Sequence, residues 1–490
     1  MESRDLGDLG DGELTSDEIE DRIRILSQEI PKDPNNYELL KERASLYIEL
    51  NKTDLALSDI NECLKHLPND AEVYFLQHEI HNLNMDYREA IISLNNAIAL
   101  NPDEAKYYHF RGFTYHLLKE FDSALASYDK AIALKPFPFT FLRRGDVYLD
   151  LQEFDQAISD CQTALEIIDE LYESSGQTQE ERPYPLLHMY YLTLGSAYKG
   201  REDYQQALKC YNQVITLRPD LPVGYYNRGL LYKDFTTGYH YRPPQKGFNK
   251  LAEALEDFTF VIEREPENPE YYFQRADCKL TQEDYVGAIA DCSMAIDRGK
   301  DHPNRFLYHF TRGNAYFYSR DFENAIIDFS HTIRLNPGDT QAHLNRGNCF
   351  RELNKLDQAL ADYSEALKLD PSYQNALNNR ANLFLTLKDL PSAIADYEKL
   401  DSLMVQKDPA VYFNLALACI KMGDLVKAKD YLEPLVQSFP NDPRILYNYA
   451  RLLALQKQKK EAQRILKKVI EINPDYKKYA QNDEILAKHL

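Results

Sequence analysis

The chain has 490 residues, 44% hydrophobic and 28% charged, with only 18 glycines, a balance that excludes a mostly disordered protein. Its net charge of −21 speaks against general nucleic-acid binding, which needs clustered Lys and Arg to release counterions, and suits selection of basic partners. The charge is uneven: Arg451 to Leu490 holds ten Lys+Arg against five Asp+Glu, so an acidic chain ends in a basic tip around Lys457, Lys459, Lys460, Arg464, Lys467 and Lys468.

Residues 1–14 are acidic and contain glycine, and are expected to be a disordered tail. Thr15 to Glu18 reads as a capping box that starts a helix within 15–36, with Ile19, Ile23, Leu26 and Ile30 on one face. A proline-closed period then begins. Proline recurs at 68, 102, 136, 219, 266, 337, 371, 440 and 474, often 34 residues apart. Twelve positions before each stands an alanine: 56, 90, 124, 207, 254, 325, 359, 428 and 462. Twenty-four before seven of them stands a small residue: Ala44, Gly112, Gly195, Gly313, Gly347, Ala416 or Ala450. Gly145/Ala157, Ala276/Ala288 and Ala381/Ala393 mark three units without the proline, which makes twelve units.

Such a unit reads as a helix hairpin. The small residue lets two helices approach, and an aromatic three positions on (Tyr47, Tyr115, Tyr148, Tyr198, Tyr232, Tyr316) is expected to fill the space beside it. The proline ends the second helix. One hairpin cannot bury its own apolar face, so the units must stack on their neighbours. The pattern resembles the tetratricopeptide repeat family from about Tyr37 to Pro474. That resemblance implies an all-α, right-handed superhelical solenoid of about twelve helix-turn-helix units with capping helices at both ends. Units one to four take 37–168 and a solvated linker 169–187. Units five to twelve take 188–474, and a capping helix takes 475–490. An insertion within unit six, 233–250, is aromatic and basic, and Tyr239, Tyr241, Arg242 and Phe248 make it a candidate partner loop.

Two series stand beside the small slot. The position before it is arginine in eight units, and in seven of them an aspartate stands in the second helix, sixteen residues on in the ordinary unit. The pairs are Arg43 and Asp59, Arg144 and Asp160, Arg228 and Asp257 (across the insertion), Arg275 and Asp291, Arg312 and Asp328, Arg346 and Asp362, and Arg380 and Asp396. Arg111, opposite Ser127, is the exception. This co-occurrence predicts structural ion pairs between the helices of one unit.

Two positions before the slot, units six to twelve carry Asn227, Gln274, Thr311, Asn345, Asn379, Asn414 and Asn448. Asn314, Asn348 and Asn382 lie three residues after Thr311, Asn345 and Asn379 on the same helical face. A carboxamide donates and accepts, so the row is expected to bind the main chain of an extended peptide. It resembles the asparagine ladder in the superhelical domain of O-linked N-acetylglucosamine transferases, without their catalytic domain. A copied duplication would leave the same row without a binding role.

No phosphate loop or nucleophile–base constellation stands out, so no catalytic residue and no cofactor is expected. His78 and His81 lack the spacing of a zinc hydrolase, so no metal is expected either. Seven scattered cysteines without a CxxC pair point to reduced thiols and a cytoplasmic location, with the nucleus left open. The start lacks signal-peptide regions, and no apolar run nears the ~18–20 residues that span a bilayer. The expected role is a scaffold or adaptor that holds extended peptide segments of other proteins in units 6–12. The alternatives are a subunit of a large ciliary, trafficking or secretion assembly, or a co-chaperone clamp for acidic C-terminal tails using Lys41 and Lys106. Oligomeric state is not specified by these signals.

Overall fold

The computed structural model of the chain describes residues 15–176, 184, 186–237 and 249–489. The tail 1–14, residues 177–183 and 185 of the presumed linker, and the loop residues Tyr239, Tyr241, Arg242 and Phe248 lie outside the described residues. The chain divides into two compact units, Met1–Val261 and Ile262–Leu490.

In the first unit, α1 (Ser16–Glu29) precedes three helix pairs: α2 (Tyr37–Glu49) with α3 (Thr53–His66), α4 (Ala71–Leu83) with α5 (Tyr87–Leu100), and α6 (Ala105–Leu117) with α7 (Phe121–Leu134). Three more follow: α8 (Pro138–Asp150) with α9 (Phe154–Ser175), α10 (Leu187–Gly200) with α11 (Tyr204–Leu217), and α12 (Pro222–Thr237) with α13 (Leu251–Arg264), inside which the boundary falls. The second unit opens with α14 (Pro269–Thr281) and α15 (Tyr285–Arg298), α16 (Arg305–Tyr318) and α17 (Phe322–Leu335), and α18 (Thr340–Glu352) and α19 (Leu356–Leu369). It continues with α20 (Gln374–Leu387) and α21 (Leu390–Leu403), α22 (Pro409–Met422) and α23 (Leu425–Ser438), α24 (Pro443–Leu455) and α25 (Lys459–Ile472), then a short α26 (Tyr476–Asn482). Among the described residues there is no strand. Aspartate starts many of these helices: Asp321 and Asp339, for example, accept the backbone N–H three residues on, satisfying donors that a helix start leaves free. In α1 the capping box is present, with Thr15 N–H donating to Glu18 Oε2 at 2.7 Å.

Four hairpins close by size matching of a glycine and a ring. A Cβ on Gly112 would meet the Tyr128 ring at 2.8 Å, one on Gly195 the Tyr211 ring at 2.7 Å, one on Gly313 the Phe329 ring at 2.9 Å, and one on Gly347 the Tyr363 ring at 2.7 Å. All four rings are fully buried. The group that fills the space is thus sixteen residues after the small slot, on the second helix. This corrects the expectation for Tyr47, Tyr115, Tyr148, Tyr232 and Tyr316, which are only half-buried. Where the slot holds alanine the partner shrinks: Ile60 opposite Ala44, Cys292 opposite Ala276, Leu432 opposite Ala416, Leu466 opposite Ala450. Ala381 with Tyr397 departs from this, and the Tyr397 hydroxyl is anchored on Asn382 at 2.7 Å.

Seven residues after the slot, the turn between the two helices passes through the left-handed region. It does so at Asn51, Met85, Lys119, Gln152, Glu202, Glu283, Arg320, Asn354, Lys388 and Lys457, with φ of 55–67°, and at Gly423, with φ 89°. Only the glycine adopts that conformation without a steric cost.

Three boundaries differ from the sequence expectation. The linker does not begin at 169: α9 continues to Ser175 because Ile168 and Tyr172 extend its apolar face, and Gly176, at φ 68°, ends it. The insertion does not begin at 233, because α12 runs to Thr237, with Phe235 packed edge-on against Tyr204 at 4.8 Å. Lys250 N–H then donates to Thr236 Oγ1 at 3.1 Å, bringing the ends of the insertion together. The C-terminal cap is not one helix from 475. It breaks at Asp483, whose Oδ1 accepts the N–H groups of Ile485 and Leu486 at 2.8 and 3.1 Å, seating Leu486 in the core.

Gly347→Ala should lower stability by about 1–3 kcal/mol through overpacking against Tyr363, although alanine is the better helix former. Thermal melting checks this, and a raised melting temperature would contradict the size-matching argument.

Candidate functional site

The seven arginine–aspartate pairs all close as two-bond forks. Arg43 meets Asp59 at 2.8 and 2.7 Å, Arg144 meets Asp160 at 2.8 and 2.6 Å, and Arg228 meets Asp257 at 2.9 and 2.7 Å. Arg275–Asp291, Arg312–Asp328, Arg346–Asp362 and Arg380–Asp396 have distances of 2.7 and 2.8 Å. The aspartate side chains are 2–9% exposed and the arginines 17–22%. Nε and one terminal nitrogen make the fork, which leaves the other terminal nitrogen free to donate elsewhere.

Its acceptor is a feature the sequence reading missed. For seven of the arginines it lies on the preceding helix: Ser27 for Arg43, Asn95 for Arg111, Asp129 for Arg144, Asn212 for Arg228, Ser293 for Arg312, Ser330 for Arg346 and Ser364 for Arg380, at 2.5–3.1 Å. Within the repeats these acceptors stand two residues after the aspartate slot of the preceding pair, a signal present in the sequence. Each such arginine therefore ties three helices. Arg111 meets Ser127 through a single 3.2 Å bond.

The pairs differ electrostatically. Burial lifts the Asp160 and Asp257 carboxyls above the usual range despite Arg144 and Arg228. Burial also pushes Asp328 and Asp362 up, but here two donors outweigh it, and both carboxyls end below the usual value. Arg312 and His309 act on Asp328, and Arg346 and His343 on Asp362. His309 Nδ1 lies 2.8 Å from Asp328, and His343 Nδ1 3.2 Å from Asp362.

The amide row is split. Asn227 lies in the first compact unit and the other nine positions in the second. Asn227 and Asn448 each donate to a carbonyl of their own helix, at 2.9 Å, and Gln274 donates to Glu270 at 2.6 Å; Thr311 is buried. The other six are brought together across α16, α18, α20 and α22. Asn345 Nδ2 donates to Asn314 Oδ1 and Asn379 Nδ2 to Asn348 Oδ1, each at 2.9 Å, and Asn414 Nδ2 to Asn382 Oδ1 at 3.4 Å. Tyr363 and Tyr397 hydroxyls donate to Asn348 and Asn382 at 2.8 and 2.7 Å. All six amides are half-buried. The Oδ1 atoms of Asn345, Asn379 and Asn414 accept no bond from the described residues; Asn345 and Asn379 each also keep one N–H, whereas Asn414 Nδ2 donates a second bond to the Tyr397 hydroxyl at 3.1 Å.

Other candidates are occupied. Lys41 pairs with Asp70 and Lys106 with Glu72, each at 2.9 Å. His78 is buried with Nδ1 3.0 Å from Phe75 O, and burial pushes its pKa down to about 4. All seven cysteines are buried and outside disulfides, and burial raises the Cys63 and Cys419 thiols to about 11 and those of Cys210 and Cys349 to about 12. Among the described residues no three His, Cys, Asp or Glu side chains gather as a metal site, and no helix is long and apolar enough to cross a membrane.

Sequence models of the tetratricopeptide repeat match residues 105–138, 140–170, 195–234, 247–303, 340–373 and 420–482, together more than half of the chain. The chain belongs to the tetratricopeptide repeat proteins. Over 136 residues it is 29% identical to tetratricopeptide repeat protein 13 of Homo sapiens, a stretch covering 27% of this chain and 14% of that protein. Over 109 residues it is 26% identical to the protein SGT1 homolog of Bos taurus, covering 22% of this chain and 29% of that one. The chain thus spans under a third of each of these two relatives. The crystal structure of the APC/C hetero-tetramer Cut9–Hcn1 aligns over 95% of this chain and 98% of that chain, at 15% identity and a TM-score of 0.39.

The electrostatic difference sets a pH response. A carboxyl with a lowered folded pKa contributes stability that is present above its unfolded pKa of about 3.9 and lost as pH falls through the folded value. Asp328 and Asp362 are of this kind. Asp160 and Asp257, with raised folded values, instead favour the fold below the unfolded pKa, an advantage lost as pH rises. Melting temperature should therefore fall less steeply below about pH 4 in Asp328→Asn than in the parent chain. Parallel acid limbs would contradict the role given to the His–Arg pair.

Proposed function

We propose that this protein is a non-enzymatic scaffold that holds an extended segment of a partner protein along the amides of α16, α18, α20 and α22. Stacked tetratricopeptide repeats form a protein–protein interaction scaffold, and the finer reading concerns which face is used. The observation that carries it is the run of three amide–amide bonds from Asn314 to Asn414. These bonds fix the carboxamides in orientation while leaving an oxygen on Asn345, Asn379 and Asn414, and one N–H on Asn345 and Asn379, for a ligand. An extended peptide offers main-chain N–H and C=O groups along its length, so such amides read the main chain and tolerate varied side chains. Pre-orientation lowers the entropy lost on binding. Lys41 and Lys106 already hold carboxylates of the chain, which weakens the alternative clamp for acidic tails.

Because the amides also bridge neighbouring pairs, their removal costs stability as well as binding, about 0.5–1.5 kcal/mol per bond. The test therefore sets Asn345→Ala/Asn379→Ala/Asn414→Ala against Gly347→Ala, which weakens the same region with the amides intact. In affinity capture from lysate read by mass spectrometry, the triple variant should lose extended-segment partners at least about tenfold, equivalent to about 1.4 kcal/mol, while Gly347→Ala retains them. Retention by the triple variant, or equal loss in both, would sink the proposal.

A further inference from the structure

Within the second compact unit, α15 differs from its neighbours in what it shows to solvent. Its exposed residues are Val286, Ala290, Met294 and Asp297, which share one face at helical spacing. Ala288, Asp291, Cys292 and Ala295 turn the opposite face into the core. Val286 is 80% exposed and Met294 37%, so about 12 Å of outward helix surface passes without a charge. Asp291 faces inward, held by Arg275 at 2.7 Å and Lys279 at 2.8 Å. Neighbouring second helices are charged outward: Glu323 and Arg334 stand exposed on α17, and Asp357 and Lys368 on α19.

The apolar strip continues onto the next pair. Tyr285 stacks on Tyr318, with ring centroids 5.9 Å apart and 21° between the planes, and Tyr318 is 58% exposed. The turns on either side of this stack, α14 to α15 and α16 to α17, carry Glu283, Asp284, Asp321 and Glu323 against Arg320. Asp284 and Asp321 accept the backbone N–H groups of Gly287 and Asn324 at 2.9 and 3.2 Å, which fixes both carboxylates at the rim. An uncharged strip thus ends in an acidic margin.

We propose that the outward face of α15, together with Tyr318, docks a basic amphipathic helix of a partner protein. Apolar side chains exposed singly are ordinary, whereas a contiguous strip with a polar rim marks an interaction surface. A helix lays apolar anchors at i, i+3, i+4 and i+7 on such a surface. The acidic margin then selects lysine and arginine beside those anchors and repels acidic partners. Charge also decides against a second copy of this chain. An antiparallel two-fold contact between α15 helices would bring Asp297 of each copy to Glu283 and Asp284 of the other, and a parallel one would oppose the same acids. The inference does not rest on the amide row, which lies on first helices.

Fluorescence anisotropy on the full chain with a dye-labelled synthetic helix tests it. The probe carries leucine at i, i+3, i+4 and i+7 over about 18 residues, long enough to hold a helix, with lysine elsewhere; a control probe has glutamate for lysine. The lysine probe should bind saturably, and the glutamate probe at least about tenfold more weakly. Val286→Ser/Met294→Ser, which changes no charge, should weaken the lysine probe at least about tenfold with unchanged far-UV circular dichroism. Glu283→Lys/Glu323→Lys should narrow the difference between the probes; lysine suits the turn at Glu283, since Lys119, Lys388 and Lys457 occupy the equivalent turn elsewhere. Asn345→Ala/Asn379→Ala/Asn414→Ala should bind the lysine probe as the parent does. No saturable binding, equal binding of both probes, parent-like binding by the serine variant, an undiminished preference in the charge-reversed variant, or loss in the amide variant would each overturn the proposal. So would a parent chain that sediments as a dimer while the serine variant is a monomer, because that assigns the face to a second copy.

Discussion

The fork between an arginine on the first helix and an aspartate on the second sets the geometry of most pairs in this chain. Two parallel N–H···O bonds define an orientation as well as a distance, which a single contact does not. In pair nine, Arg346 grips Asp362, and its neighbours in sequence are fixed with it. Gly347 comes to lie against the Tyr363 ring, Tyr363 reaches Asn348 with its hydroxyl, and Asn345 is turned toward Asn314. The remaining N–H of Arg346 holds Ser330 on the preceding helix, which passes the register to the adjacent pair. A buried ion pair contributes little more net stability than apolar side chains of the same volume, and the chain shows both solutions. At the arginine slot of pair eleven stands Leu415, fully buried, and no aspartate faces it. The fork's distinct contribution is orientation.

Orientation is also what a surface that reads a peptide main chain requires. Asparagines with free rotors would have to be ordered on binding, whereas here neighbours and tyrosine hydroxyls already hold them. The same bonds make the row part of the framework, so binding and stability are coupled in pairs eight to eleven. The row does not run unbroken through pairs six to twelve: Asn227, Gln274 and Asn448 bond within their own helices, and Asn227 belongs to the other compact unit.

The twelve hairpins and the arginine–aspartate pairing were legible because both follow from fixed spacing, and fixed spacing on two helices becomes fixed position in space. The group opposite each small slot was harder to find, since it varies among tyrosine, phenylalanine, cysteine, isoleucine and leucine. The left-handed turn was hidden for a similar reason. Met85, Lys119 and Gln152 occupy it because tertiary packing enforces a conformation that their side chains disfavour. The acceptors of the third arginine nitrogen share a position in the preceding pair and could have been found by aligning one repeat against the next. The break at Asp483 had no such signal, because it depends on a side chain meeting the backbone two and three residues on.

The bracing role of the fork is tested most directly by a double-mutant cycle on Arg346 and Asp362, with unfolding followed in denaturant for Arg346→Ala, Asp362→Ala and the pair. Either single change leaves a largely buried charge without its partner, and the double change does not, so the single effects should exceed the combined one, with a coupling of about 2 kcal/mol or more. Additive effects would contradict a structural fork and leave the arginine row without the role assigned to it.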